Sequence, residues 1–238
     1  MKVEVVAYTT FDRLKAGEVS GYVPHVDGPG DGISEMDELA EFAGRMCYQS
    51  WNRPNPKTAT NKGYLDNIIK QGHFSVLEHG SLTLYVEGVS RSLLTELERH
   101  RFLSFSVISQ RYVSHDPEWI VTPPLIAENP DTAGQVFDDA VEHAMDAYNT
   151  LVEELIGRGY GRKQALEAAR SVLPNAAQVK MVVTGNIRAW RDVLQKRWHA
   201  AADAEIREFA GEVLKALRQY APNSVSDIPD RPYGTEES

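Results

Sequence analysis

Ser81–Gly88 (SLTLYVEG) alternates apolar and polar residues, the pattern of a strand with one buried face. The other strand-like segments are Val3–Thr9, Val107–Val113 and Gln178–Thr184. They are scattered among helical stretches with no regular strand–helix–strand rhythm. That order disfavours a doubly wound parallel sheet. It favours an α+β fold, a mostly antiparallel sheet flanked by helices.

The helical stretches are read from periodicity and caps. Ser34 is placed to cap a helix reaching about Tyr48, with Glu35, Asp37 and Glu38 in its first turns. Asn61–Gln71 reads as a short helix stopped by Gly72. Ser90–Arg101, Asp131–Arg158, Lys163–Leu173, Asn186–Arg197 and Ala201–Tyr220 follow. In Asp131–Arg158 the apolar set is Val136, Phe137, Val141, Met145, Tyr148, Leu151, Val152 and Leu155. Phe11–Gly32 holds Gly and Pro in numbers that predict a loop. The start of the chain reads as a buried strand and not as a signal peptide. At 238 residues the chain suits one large domain or two small ones; the expectation is a single domain over 1–221, with a mobile tail over 222–238.

Charge excludes some partners. Lys and Arg total 25 against 34 Asp and Glu, a formal net charge of −9. Nucleic acid and basic membrane contact are both disfavoured by that sum. No apolar run approaches the roughly 20 residues that span a bilayer. With Cys47 as the sole cysteine, disulfides and Cys-rich zinc sites are excluded. A soluble cytoplasmic globular protein is the expected class.

Within this acidic chain, Arg91–Arg111 is locally cationic, with four arginines and one histidine against Glu96 and Glu98. On a helix over Ser90–Arg101, Leu93, Leu94 and Leu97 define the core face, Arg101 falls above Leu94, and Glu96, Arg99 and His100 form a second, adjacent polar face. A guanidinium on the core side needs a partner or an anion. One reading is a helix end with a surface Glu96–Arg99 pair. The other is a phosphate site, which the place of Arg101 and the neighbouring Ser104, Ser106 and Ser109 favour. Phe102 and Phe105 would offer apolar contact to a nucleotide ring.

Two further clusters stand out. His73-Phe-Ser-Val-Leu-Glu-His79 holds two histidines, but not at the spacing of a helical metal pair, so no metal site is assigned. Arg170, Asn186, Arg188, Arg191 and Arg197 form the other. Asn186 sits where a helix N-terminus would favour anions. The alternative is a solvated helix face. Cys47, in Arg45-Met-Cys-Tyr, reads more readily as a small buried apolar residue than as a nucleophile.

Taken in order, these clusters resemble the flavin-dependent thymidylate synthases. The blocks are Gly72-His73-x-Ser75-Val-Leu-Glu78-His79, then Arg99-His100-Arg101 with Ser104 and Ser109-Gln110-Arg111-Tyr112. Ala169-Arg170-Ser-Val-Leu-Pro174, Asn186-x-Arg188, and Arg197 with Glu205-Ile206 complete them. The match runs over roughly residues 38–220.

The resemblance implies an α+β homotetramer with FAD held between subunits and no thiolate nucleophile. It implies conversion of dUMP to dTMP, with methylenetetrahydrofolate as carbon donor, NADPH as reductant and the flavin supplying the hydride. His73, Ser75, Glu78, Arg99, His100, Arg101, Phe102, Asn186, Arg188 and Asp192 match FAD positions. Arg91, Glu96, Arg99, Ser109, Gln110, Arg111, Arg170 and Arg197 match positions around dUMP. Arg197 is implied as the catalytic residue that stabilises charge on the pyrimidine. Three positions depart from the pattern: Val107 where Glu or Gln is common, Ser106 where Asn is common, and Asp192 where Asn is frequent.

Overall fold

The computed structural model of the chain describes residues 1–24, 33–53 and 55–235. In chain order the elements are β1 (Lys2–Tyr8), α1 (Arg13–Ser20), α2 (Glu35–Met46), α3 (Asn61–Lys70), β2 (Ser81–Ser90), α4 (Arg91–Leu97) and β3 (Ser104–Val107). Then come α5 (Pro124–Ala127), α6 (Gln135–Gly157), α7 (Arg162–Ala169), β4 (Gln178–Asn186), α8 (Ile187–Arg197) and α9 (Ala204–Tyr220). The strands form one antiparallel sheet in the order β1-β2-β4-β3. The architecture is the α+β one expected.

Alternation along the central strands decides which face is covered. Leu82, Leu84 and Val86 of β2 and Val179, Met181 and Val183 of β4 are buried. They pack with Leu93, Leu94 and Leu97 of α4, Trp190 and Leu194 of α8, and Phe209, Val213 and Leu217 of α9. The intervening residues make a polar face. Thr83 and Thr184 bond across the strands at 2.9 Å, and Lys180 pairs with Glu87 at 2.8 Å. A smaller core of Met145, Tyr148, Leu166 and Ala169 joins α6 to α7.

Gly185 allows α8 to turn back closely onto the sheet. A Cβ there would lie 2.5 Å from Leu103 Cδ2 and 3.1 Å from Trp190 Nε1. The Trp190 indole donates to the Leu82 carbonyl at 3.2 Å, locking helix to strand.

Several expectations are corrected. β1 is not buried but an edge strand, paired on one side only, with Val6 and Tyr8 exposed. The expected loop over Phe11–Gly32 contains α1, capped by Asp12 and closed by Gly21 at φ +74°; residues 25–32 lie outside the described residues. The helix expected to reach Arg101 ends at Leu97. Leu103 must bury beside Gly185, and Ser104 must pair with Thr184, so strand pairing overrides local helix propensity. The strand expected over Val107–Val113 lies earlier, because a turn begins at Ser109, whose carbonyl accepts from Tyr112 N and Val113 N. Of the apolar set on α6, only Met145 and Tyr148 are buried.

The expected mobile tail is instead a docked arm through residue 235. Val225 and Ile228 are buried. The buried Asp37 carboxylate accepts from Asn223 N at 2.8 Å and from Ser224 N and Oγ at 2.9 and 2.5 Å. A buried carboxylate requires such donors, and the arm supplies them. Further along, Tyr233 N donates to Trp198 O at 2.9 Å and Ala200 N donates to Tyr233 O at 2.7 Å.

Candidate functional site

Two strand-to-helix junctions set the geometry. β2 runs into α4 at Ser90, whose Oγ accepts from Leu93 N at 3.1 Å. β4 runs into α8 at Asn186, whose side-chain oxygen accepts from Ala189 N at 2.8 Å. Asn186 thus caps its helix, and that oxygen is already engaged. Because β2 and β4 are antiparallel, the two helices leave opposite ends of adjacent strands, and the end of α8 comes back to meet the last turn of α4 and the residues that follow it.

There Arg197 is gripped on three sides. Nη1 donates to Glu96 Oε2 at 2.5 Å, Nη2 to the Glu96 carbonyl at 3.1 Å and Nε to His100 Nε2 at 3.2 Å. A guanidinium has five N–H donors. Two of Arg197's therefore have no protein partner among the described residues. His100 Nδ1 lies 3.0 Å from Asp192 Oδ2, and Lys196 Nζ lies 2.6 Å from Asp192 Oδ1. Burial holds the His100 imidazole below the ordinary histidine range, against the pull of Asp192 and with the help of Arg197 and Lys196. Burial pushes the Asp192 carboxyl up, but its bonds to Lys196 and His100 outweigh this and hold it low. Glu96 pairs with Arg197, so the surface Glu96–Arg99 pair is not formed.

A second patch joins Glu78 to Arg188 by an ion pair. Arg188 and Asp192 also line a cleft of about 610 Å³ with Phe74, Arg191, His199 and Tyr233. Arg191 is tied to both oxygens of Asp227 at 2.7 and 2.8 Å. The third expected cluster therefore separates. Arg191 serves the arm, Arg188 serves Glu78, and Arg197 serves Glu96 and His100.

A third patch is the Ser109–Arg111 turn. Arg111 Nε lies 2.8 Å from Glu167 Oε2, but its N–H is not aimed at that oxygen and stays without a hydrogen-bond acceptor. Gln110 Nε2 is buried without a partner as well. Two orphaned donors side by side invite an acceptor from outside the chain.

Arg101 is exposed, so the reasoning that placed it on the core side fails with the shortened helix. His73, Ser75, Arg99 and Arg170 are exposed, and Phe102 is 82% exposed. Arg91, Arg99, Arg101 and Arg170 have no side-chain partner among the described residues. Unpaired guanidiniums beside an uncovered aromatic ring fit a ligand that is both anionic and planar. Within one chain, no hydrogen bond or ion pair among the described residues links the Ser109–Arg111 turn to Arg197. Cys47 is not buried but exposed at the end of α2, its Sγ 3.5 Å from the Ala43 carbonyl. Among the described residues no group of three or more His, Cys, Asp or Glu could hold a metal ion.

Sequence reading missed Lys196, Glu167 and the arm residues Ser224 and Asp227. Lys196 was legible as the i+4 partner of Asp192. The others are long-range contacts with no local signal.

The sequence model of the family described as "Thymidylate synthase complementing protein" matches residues 31–223. Proteins named "Probable flavin-dependent thymidylate synthase" from Mycobacterium phage D29 and Mycobacterium phage L5 are each 53% identical. The alignments cover 98% of this chain in both cases, and 98% and 99% of the relatives. A "Flavin-dependent thymidylate synthase" of Mycobacterium tuberculosis is 43% identical over 96% of this chain and 90% of its own length.

Proposed function

Because this chain belongs to the flavin-dependent thymidylate synthase family, and is therefore an enzyme, we propose that it methylates dUMP to dTMP. Methylenetetrahydrofolate donates the carbon and NADPH the electrons; tetrahydrofolate and NADP⁺ leave. When bound, FAD supplies the two-electron redox chemistry that side chains lack.

The observation that carries this reading is Arg197. Its fork is fixed by Glu96 and His100, with two N–H groups to spare. Set against the uracil carbonyls, they stabilise negative charge as it develops on the ring. Being held in advance, Arg197 needs no reorganisation when the charge appears.

Phosphate recognition falls to three unpaired arginines and to the Ser109–Arg111 turn. Arg91, Arg99, Ser109, Arg111 and Arg170 take the 5′-phosphate end of dUMP, and Gln110 and Glu96 fix polar edges of the nucleotide. His73, Ser75, Glu78, Arg99, His100, Arg101, Phe102, Asn186, Arg188 and Asp192 hold FAD. Arg99 and Arg101 are free to meet its phosphates, and Phe102 is free to lie against a ring. Cys47, exposed at a helix end, takes no part.

The assembly we propose is a homotetramer with sites shared between copies. Support comes from the unlinked patches and from apolar side chains left exposed on and near α6, among them Val136, Leu151, Ile156 and Leu125. Residues 1–221 act as one catalytic domain. Among the described residues no helix is long and apolar enough to cross a membrane, in keeping with a cytoplasmic enzyme.

The test is a spectrum followed by an assay. Purified protein should show flavin absorbance that bleaches with NADPH and dUMP, and should release tritium from [5-³H]dUMP only with the folate present. Arg197→Ala should keep the flavin and lose methyl transfer. Failure to take up FAD, or turnover by Arg197→Ala equal to wild type, would overturn the assignment.

A further inference from the structure

The contacts around Arg197 fix the place of a proton. Arginine Nε carries one hydrogen and can only donate. The Arg197 Nε–H points at His100 Nε2 at 3.2 Å, so that ring nitrogen presents its lone pair. In a neutral imidazole the proton then sits on Nδ1. Nδ1 lies 3.0 Å from Asp192 Oδ2, an acceptor.

We propose that Asp192 is a positioning residue for Arg197, acting by holding His100 in its Nδ1–H tautomer. The proposal rests on the reading of Arg197 as the group that meets the pyrimidine. The opposite tautomer would set an Nε2–H against the Arg197 Nε–H, donor against donor. Arg197 would keep only its two bonds to Glu96 and lose the third point that defines the plane of its fork. Protonation of His100 has the same effect and adds charge repulsion.

Asp192 is itself oriented. Its second oxygen is held by Lys196 at 2.6 Å, which leaves Oδ2 for the ring. The charged groups facing His100 are Asp192, Lys196 and Arg197 of α8, with Glu96 of α4 reaching it through Arg197. Asp192 favours the protonated ring, while the two cations and burial oppose it. The ring is therefore neutral at neutral pH, the state in which Arg197 is held.

Ring-¹⁵N histidine NMR on the intact protein reads the tautomer directly, with His100→Gln assigning the signals. Wild type should show Nε2 as the unprotonated nitrogen and Nδ1 as the protonated one. Asp192→Ala should shift His100 toward the Nε2–H form and lower kcat roughly ten- to hundredfold, as when a partner behind a working group is removed. Asp192→Asn should recover part of kcat, because its amide oxygen still accepts from Nδ1–H. Its acid limb should move to lower pH, because the charge that favoured protonation is gone. An Nε2–H tautomer in wild type, an unchanged tautomer in Asp192→Ala, or an unmoved acid limb in Asp192→Asn would overturn the proposal. A wild type that makes no dTMP would instead defeat the functional reading, while the ring spectrum would still decide the tautomer.

Discussion

Replacing Glu205 by alanine should release the start of α4 and with it the helix that carries Glu96. The Glu205 side chain is 8% exposed. Its oxygens accept from Ser90 N at 2.7 Å and from Ser90 Oγ at 2.6 Å. Ser90 is 3% exposed and is also the cap of α4. Hydrogen bonds to a charged group contribute about 1.5–3 kcal/mol each. The two share one residue and will not simply add. Alanine also leaves the buried Ser90 N–H without an acceptor. We expect a loss of about 3–5 kcal/mol, a large part of the ~5–15 kcal/mol that holds a domain together. Glu205→Gln keeps one oxygen for the Ser90 N–H, and its amide N–H can donate to the hydroxyl oxygen; it should cost only about 1–2 kcal/mol. Urea denaturation followed by tryptophan fluorescence measures both. If alanine cost less than about 1 kcal/mol, or if the two variants cost the same, the carboxylate would not be what anchors the helix.

Gly185→Ala should lose about 1–3 kcal/mol by overpacking against Leu103 and Trp190; an unchanged melting temperature would mean that α8 can back away from the sheet at no cost. Ser224→Ala should cost about 1–2 kcal/mol, because Asp37 stays buried with one donor fewer, and should make the arm easier to clip after Tyr233 by chymotrypsin; equal digestion rates would count against docking by Asp37. Burial lowers the affinity of His100 and His115 for protons. The unfolded chain therefore binds protons first as pH falls through about 6.5, and stability, full above that value, drops toward the lowered folded values. Asp37, pushed up by burial, works with the opposite sign. The measurement accordingly compares wild type with His115→Gln by urea titration at about pH 7.5 and about pH 5.5. The variant should lose less stability on acidification, and an equal loss would remove His115 from the account.

Strands and helices with a strong local signature were legible. The alternation over Ser81–Gly88 and the Ser34 cap are local properties, and each element stands within about two residues of its expected bounds. α1 was missed although Asp12 and Gly21 mark its ends, because only Ala16 is buried and no apolar face announces it. Edge and centre cannot be told apart within a strand, so β1 read as buried. The arm was misread for a related reason. Its prolines and acids suggest solvation, and the partner that orders it, Asp37, lies far away in sequence.

The site shows the same limit at finer scale. The blocks around His73, Arg99, Arg170 and Arg197 pointed to the family by residue type, yet one misplaced helix end misassigned their geometry. With the helix carried to Arg101, that residue took the buried place and His100 an outer polar face. In the structure the chain leaves the helix after Leu97, because Leu103 and Ser104 are committed to β4. The turn that follows reverses the roles. His100 goes inside, where Arg197 and Asp192 flank it, and Arg99, Arg101 and Phe102 go outside. The same break that spoiled the helical wheel thus separates the two tasks proposed for the tripeptide, since a helix continuing through it would have set all three side chains on neighbouring faces. His100 inside fixes the orientation of the group proposed for the pyrimidine, and its two arginine neighbours remain free for anions.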